Sequence, residues 1–218
     1  MSRGLLITGF GSGKGNAETI AEALSPSYFE EIDALTFSEA VKYPERVRKA
    51  AQGATAVTHS AGFMALKNAL VLGGRPERIH AIGAPIPSSA AMLMLKTLHK
   101  SGRMLTPGVG AYNTADIVSA LRFHQSAIGE LGAHMVANFG QLGRISRFDA
   151  VQASIDTVWS GVRVDLGYND DDAYFQLSQQ AESLAVSRSV PVHRLPGEHD
   201  EIILRPELAA ATYFDKAG

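Results

Sequence analysis

Residues 54–66 read ATAVTHSAGFMAL. Five small or β-branched residues make a short buried strand. The stretch Thr58-His59-Ser60-Ala61-Gly62 then passes, with no loop between, into a helix that runs to the paired glycines 73 and 74. A turn this tight between strand and helix lifts the Ser60 side chain above the sheet and strains its backbone. The residues two away on either side must therefore be small. Gly62 meets that demand fully and Thr58 less well. The helix that follows points its first amides at the serine, where they favour developing negative charge.

Outward from this turn the chain alternates strand and helix. Leu5–Thr8 is a short strand, and Asn16 is placed to cap a helix through Ala17, Ile20, Ala21 and Leu24. YFEEIDALTF (28–37) is a second strand region and PERVRKAAQG (44–53) a short polar helix stopped by Gly53. RIHAIGAP (78–85), VRVDLGY (162–168) and VPVHRL (190–195) are further strands, with AYFQLSQQAESLAVS and the final PELAAATYF helical. The rhythm breaks between 86 and 147, where strand signals stop and two helical runs flank the loop TPGVGAYN. Alternation of this kind gives an α/β fold: a mainly parallel, doubly wound sheet of about six strands. The chain reads as one domain over 1–218, with a helical cap insertion at 86–147 lying over the strand ends where ligands bind.

Composition narrows the function classes. Net charge is −2 without long like-charge runs, so neither a nucleic-acid surface nor a polybasic membrane patch is expected. The absence of cysteine excludes disulfide scaffolds, thiolate zinc sites and cysteine nucleophiles. The opening MSRGLLITGF is too short an apolar stretch for a signal peptide, and no long apolar run follows. A cytoplasmic protein without integral membrane association is the expectation. Nothing decides against a homo-oligomer.

Glycines 9, 11, 13 and 15 suggest a phosphate loop, but the spacing fails. Five positions before Gly13 stands Thr8, and Lys14 is followed by Gly15 where a P-loop needs Ser or Thr. The dinucleotide pattern fails as well: counting from Gly9 or Gly11, its third glycine falls on Lys14 or Asn16.

The turn at Ser60 resembles the G-x-S-x-G nucleophile elbow of the α/β-hydrolase superfamily, with Thr58 at the first glycine. TGFGSG (8–13) is similar to the oxyanion loop of the same superfamily, with Thr8 in place of its usual histidine. The resemblance covers residues 4–85 and 150–205. It implies the α/β-hydrolase fold without the first antiparallel strands, and a Ser, acid, His order along the chain. On that order Ser60 is the nucleophile, His199 the base and Asp170 the acid, chosen by its Gly-x-x-Asp register with Gly167; Asp171 and Asp172 stand beside it as alternatives. The amides of Phe10 and Ala61 are the implied oxyanion donors, with Gly9 and Gly11 letting the backbone approach a substrate oxygen.

Several residues have plainer readings. His59 precedes the nucleophile and reads as a packing or supporting residue. His193 sits on the last strand, and His80, His99, His124 and His134 show no metal-ligand spacing, so no metal is expected. The stripe around Met92 and Met94 is either packing of the cap or an adaptable apolar wall for a substrate. The expected activity is that of a cofactor-free serine hydrolase of the carboxylesterase kind. It would act on an ester or thioester of a small hydrophobic molecule through an acyl-enzyme. The alternative is an α/β-hydrolase-like module that binds a ligand with slow or absent turnover.

Overall fold

The apolar run near the start of the chain forms the interior of a parallel sheet. The computed structural model describes residues 2–9, 12–25, 27–84, 161–172 and 189–217. The strands are β1 (Ser2–Ile7), β2 (Phe29–Leu35), β3 (Thr55–His59), β4 (Arg78–Ile82), β5 (Arg163–Asn169) and β6 (Val192–Leu195). They lie in the order β2-β1-β3-β4-β5-β6, every neighbouring pair parallel. Leu5, Leu6 and Ile7 are wholly buried, as parallel strands covered on both faces must be.

Two layers of helix cover the sheet. On one face α2 (Phe37–Lys42), α3 (Pro44–Ala50) and α4 (Gly62–Val71) pack on Leu5, Ile7, Ala56, Ile79, Ala81 and Leu166. On the other, α1 (Lys14–Leu24), α5 (Glu201–Leu204) and α6 (Pro206–Ala217) pack on Leu6, Val57, Ile82 and Leu195. Ala17, Ile20, Ala21 and Leu24 all face inward from α1, as their helical spacing requires.

Two local expectations change. Helix α1 starts at Lys14 with Gly13 in extended backbone as its cap, so Asn16 lies inside the first turn rather than ahead of it. Gly13 has no side chain to cap the helix, and none is bonded there. The second strand region also ends sooner than expected. Thr36 leaves the sheet to cap α2, its hydroxyl accepting from the Glu39 amide at 3.2 Å, while the Glu39 carboxylate accepts from the Thr36 amide at 2.9 Å. This reciprocal pair turns the chain into a helix directly after Leu35. The helical expectation for 86–147, the proposed cap, lies outside the described residues.

Candidate active site

Strand order reverses at β1, which has β2 on one side and β3 on the other. The carboxyl ends of β1 and β3 therefore flank a crevice, the usual ligand position in open α/β sheets. Gly9 follows β1 and Ser60 follows β3. A Cβ placed on Gly9 would lie 2.7 Å from Ser60 Cβ and 3.2 Å from His59 Nδ1. Only glycine lets this loop rest directly on the serine turn. Phe10 and Gly11, the next residues of the loop, lie outside the described residues, as do Met92 and Met94.

Ser60 has a φ of +53°, a left-handed conformation that costs a non-glycine residue energy and is held only where surroundings enforce it. The Ser60 amide donates to Ile82 O at 2.8 Å, tying the turn to the end of β4. The carbonyls of Ser60 and Ala61 accept from Phe63 and Met64, which starts α4 immediately. Among the described residues, no backbone carbonyl accepts from the Ala61 N–H. A Cβ on Gly62 would overlap the Ile7 carbonyl oxygen and lie 2.9 Å from that of Thr8. The small residue demanded after the serine is thus explained by the close passage of β1. Thr58, the departure on the other side, is wholly buried and in register with Ile7 and Ala81. The sheet accommodates its side chain without displacing the turn.

His199 lies in the loop between β6 and α5, buried to 3% exposure. Its Nδ1 stands 2.7 Å from Asp172 Oδ2. An ionised carboxylate only accepts, so Nδ1 carries the proton, and in the neutral ring Nε2 is the nitrogen able to accept one. That tautomer is the one a general base needs. The carboxylate meeting His199 is therefore that of Asp172, not the expected Asp170. After β5 the amides of Asp170 and Asp171 donate to Leu195 O and Gly197 O, and both side chains stay exposed. The Asp172 amide closes a turn on Asn169 O, and its side chain alone is carried inward. The carboxylate that meets His199 comes two residues later than the glycine register suggests, and the amides of the two residues before it bind the β6 loop.

Gly83 and His59 lie against His199, and Tyr168 stands near Asp172. Gly83, at φ +56°, lies so close that a Cβ there would fall 2.8 Å from His199 Cε1 and 2.9 Å from Nδ1. The His59 ring packs on the His199 ring with centroids 4.8 Å apart, and its Nε2 is 3.0 Å from His199 O. Tyr168 donates to Ala84 O at 3.2 Å; burial, and then the charge of Asp172, push its phenol well above the usual range and keep it neutral. The ligand atoms of His59, His199 and Asp200 gather within 4.8 Å of one another. Each imidazole already uses one nitrogen, on the His199 carbonyl and on Asp172 respectively.

No protein-family model matches the chain, and no curated protein matches it by sequence. Solved structures do match in shape. A carboxylesterase of the ammonia-oxidizing thaumarchaeon Nitrososphaera gargenis superposes with a TM-score of 0.66 at 16% identity, covering 99% of this chain and 89% of that one. An α/β hydrolase fold protein from Burkholderia ambifaria gives 0.63 at 15% identity, covering 98% and 90%. The thioesterase domain from the curacin biosynthetic pathway gives 0.55 at 16% identity, covering 98% and 91%. The chain has the α/β-hydrolase fold. Among the described residues, no helix is long and apolar enough to cross a membrane.

Proposed function

We propose that the protein is a serine hydrolase that cleaves a carboxylic ester or thioester of a small apolar molecule. The observation that carries this reading is the buried Asp172–His199 hydrogen bond of 2.7 Å, whose histidine packs on His59, the residue preceding the left-handed turn at Ser60. An inert fold has no reason to keep a buried acid–imidazole pair in the base-competent tautomer next to a strained serine. The shape neighbours named as a carboxylesterase and a thioesterase agree with it.

In this reading His199 Nε2 takes the Ser60 hydroxyl proton as Oγ attacks the substrate carbonyl. Asp172 holds the imidazole and stabilises the imidazolium that results. The Ala61 amide, with the Phe10 amide as its partner, receives the oxyanion. Collapse expels the alcohol or thiol, which leaves with the proton from His199. Water then attacks the acyl-Ser60 ester, giving its proton to His199, and the released Ser60 recovers one. Each turnover consumes one water and yields one acid and one alcohol or thiol. No cofactor enters the scheme. Met92 and Met94 are proposed to contribute an apolar wall for the substrate.

The test is reaction with a fluorophosphonate probe, read by intact mass and peptide mapping. The expected result is a single adduct on Ser60, absent in Ser60→Ala. Asp172→Asn should lower kcat by roughly four orders of magnitude, the cost of losing the productive tautomer, while Asp170→Asn stays close to wild type. A folded protein that forms no adduct at neutral pH would overturn the hydrolase reading in favour of ligand binding without turnover.

A further inference from the structure

We infer that His59 is a positioning residue for the general base, and that it sets where His199 stands relative to Ser60. The inference rests on the hydrolase reading above.

His59 is 1% exposed, and its Nε2 lies 3.0 Å from the His199 carbonyl oxygen. A carbonyl can only accept, so Nε2 carries the proton and donates. The bond reaches the backbone of His199 and so does not compete with Asp172 for the ring's Nδ1. The ring-to-ring packing at 4.8 Å and 37° adds a second restraint on the same residue.

The position of His59 in the chain gives this contact its leverage. His59 is the last residue of β3 and is covalently joined to Ser60. The segment bearing the nucleophile is thereby bonded straight to the segment bearing the base. Further ties on the His199 loop come from the end of β5, where the amides of Asp170 and Asp171 donate to Leu195 O and Gly197 O and Asn169 Nδ2 donates to Pro196 O. Those ties place the loop against Asp172, while the His59 bond draws it toward the serine. Both are needed to fix the loop in two directions, because a displacement of about 1 Å in a reacting group costs around a hundredfold in rate. Core filling alone would be served by an apolar ring. A buried imidazole needs a hydrogen bond to offset its desolvation, and here that bond goes to the catalytic residue.

The experiment compares His59→Phe, which keeps ring volume and loses the donor, with His59→Gln, whose side-chain amide reaches the same place and restores it. For His59→Phe the expected kcat is roughly tenfold lower with KM little changed, the scale of one lost hydrogen bond. Fluorophosphonate labelling of Ser60 should slow by a similar factor, and the acid limb of the kcat/KM profile should move. His59→Gln should recover most of the loss. In parallel, proton NMR follows the low-field His199 Nδ1–H signal, expected to shift or broaden in His59→Phe and to return in His59→Gln. A folded His59→Phe with wild-type kcat overturns the inference, whatever its Tm, because a purely structural histidine would lower Tm alone. If the wild-type protein itself is not labelled, the hydrolase reading fails. The NMR comparison then decides the positioning separately: an unchanged Nδ1–H signal overturns it and a displaced one upholds it.

Discussion

Gly83 shows how narrow the tolerance is around the base. It combines a left-handed φ of +56° with so close a passage by the His199 ring that a Cβ would lie 2.8 Å from its Cε1, and its amide donates to Gly167 O at 2.7 Å across the sheet. Alanine would meet the strained conformation and the imidazole together. Gly83→Ala should fold with a moderately lower Tm and lose about a hundredfold in kcat, since the His199 ring is the softer of the two parties and moves off its line to Ser60. Steady-state kinetics beside a melting curve separate the two effects. An equal loss of Tm with kcat intact would show that the backbone yields instead. At this scale the sequence was informative where chemistry is local and silent where it is not. Ser60 and its neighbours declare themselves because strand, turn and helix are contiguous. Asp172 does not, because three aspartates in a row are equivalent until hydrogen bonds to Leu195 and Gly197, at and beyond the end of β6, decide which one turns inward. Gly83 gave no signal beyond a Gly-Ala-Pro turn after a strand.

Between elements, the face of β4 and β5 turned toward α6 carries a buried polar group that the catalytic site does not use. His80 packs edge-on against Phe214 of α6, with centroids 4.7 Å apart. Its Nδ1 is 3.9 Å from Asp165, which also takes a 2.6 Å bond from Arg78 Nε. Burial, reinforced by the positive charge of Arg78 and opposed by Asp165, holds His80 down at a pKa of about 4. The folded state therefore keeps His80 neutral where the unfolded chain, at about 6.5, begins to bind a proton. The resulting stability is complete above pH 6.5 and is lost as pH falls from there toward 4, up to about 3 kcal/mol. Urea unfolding at pH 7 and pH 5 should show wild type losing more stability on acidification than His80→Gln. Identical slopes would mean that His80 is protonated in the folded protein too. The same scale shows why β2 was overread. The strand region expected over 28–37 takes in Thr36 and Phe37, and only the Thr36–Glu39 capping pair, three residues apart as T-x-x-E, marks the change to helix.

Across the whole molecule the sheet separates two kinds of buried polarity. Ser60, His199 and Asp172 lie past the carboxyl ends of the strands, while Arg78 and Asp165 lie at and near the amino ends of β4 and β5. A mainly parallel sheet of about six strands was legible as an alternating α/β pattern because buried parallel strands are short apolar runs bounded by turn residues; the order β2-β1-β3-β4-β5-β6 was not, because no local pattern says which strands pair. That order brings together β4 and β5, with residues 83–162 between them in sequence, and the Arg78–Asp165 pair bridges that junction. Asp165 is 2% exposed, so removing its guanidinium leaves a buried carboxylate short of its nearest cation. Arg78→Met should lower stability by about 3 kcal/mol, the usual cost of breaking a buried pair from one side. Losing Arg78 also removes one of the influences that hold His80 down, so His80 will protonate at a higher pH and take over part of the pairing. The deficit of Arg78→Met relative to wild type should accordingly shrink as pH falls from 7 to 5. Replacing both partners, as Arg78→Met with Asp165→Leu, should recover most of the loss. Ester turnover at 25 °C should be unaltered in every variant that stays folded, because the pair stands at the amino ends of the strands and Ser60 at their carboxyl ends. A fall in kcat without a fall in stability would mean that the two ends are coupled through β4, whose last carbonyl, on Ile82, holds the Ser60 amide.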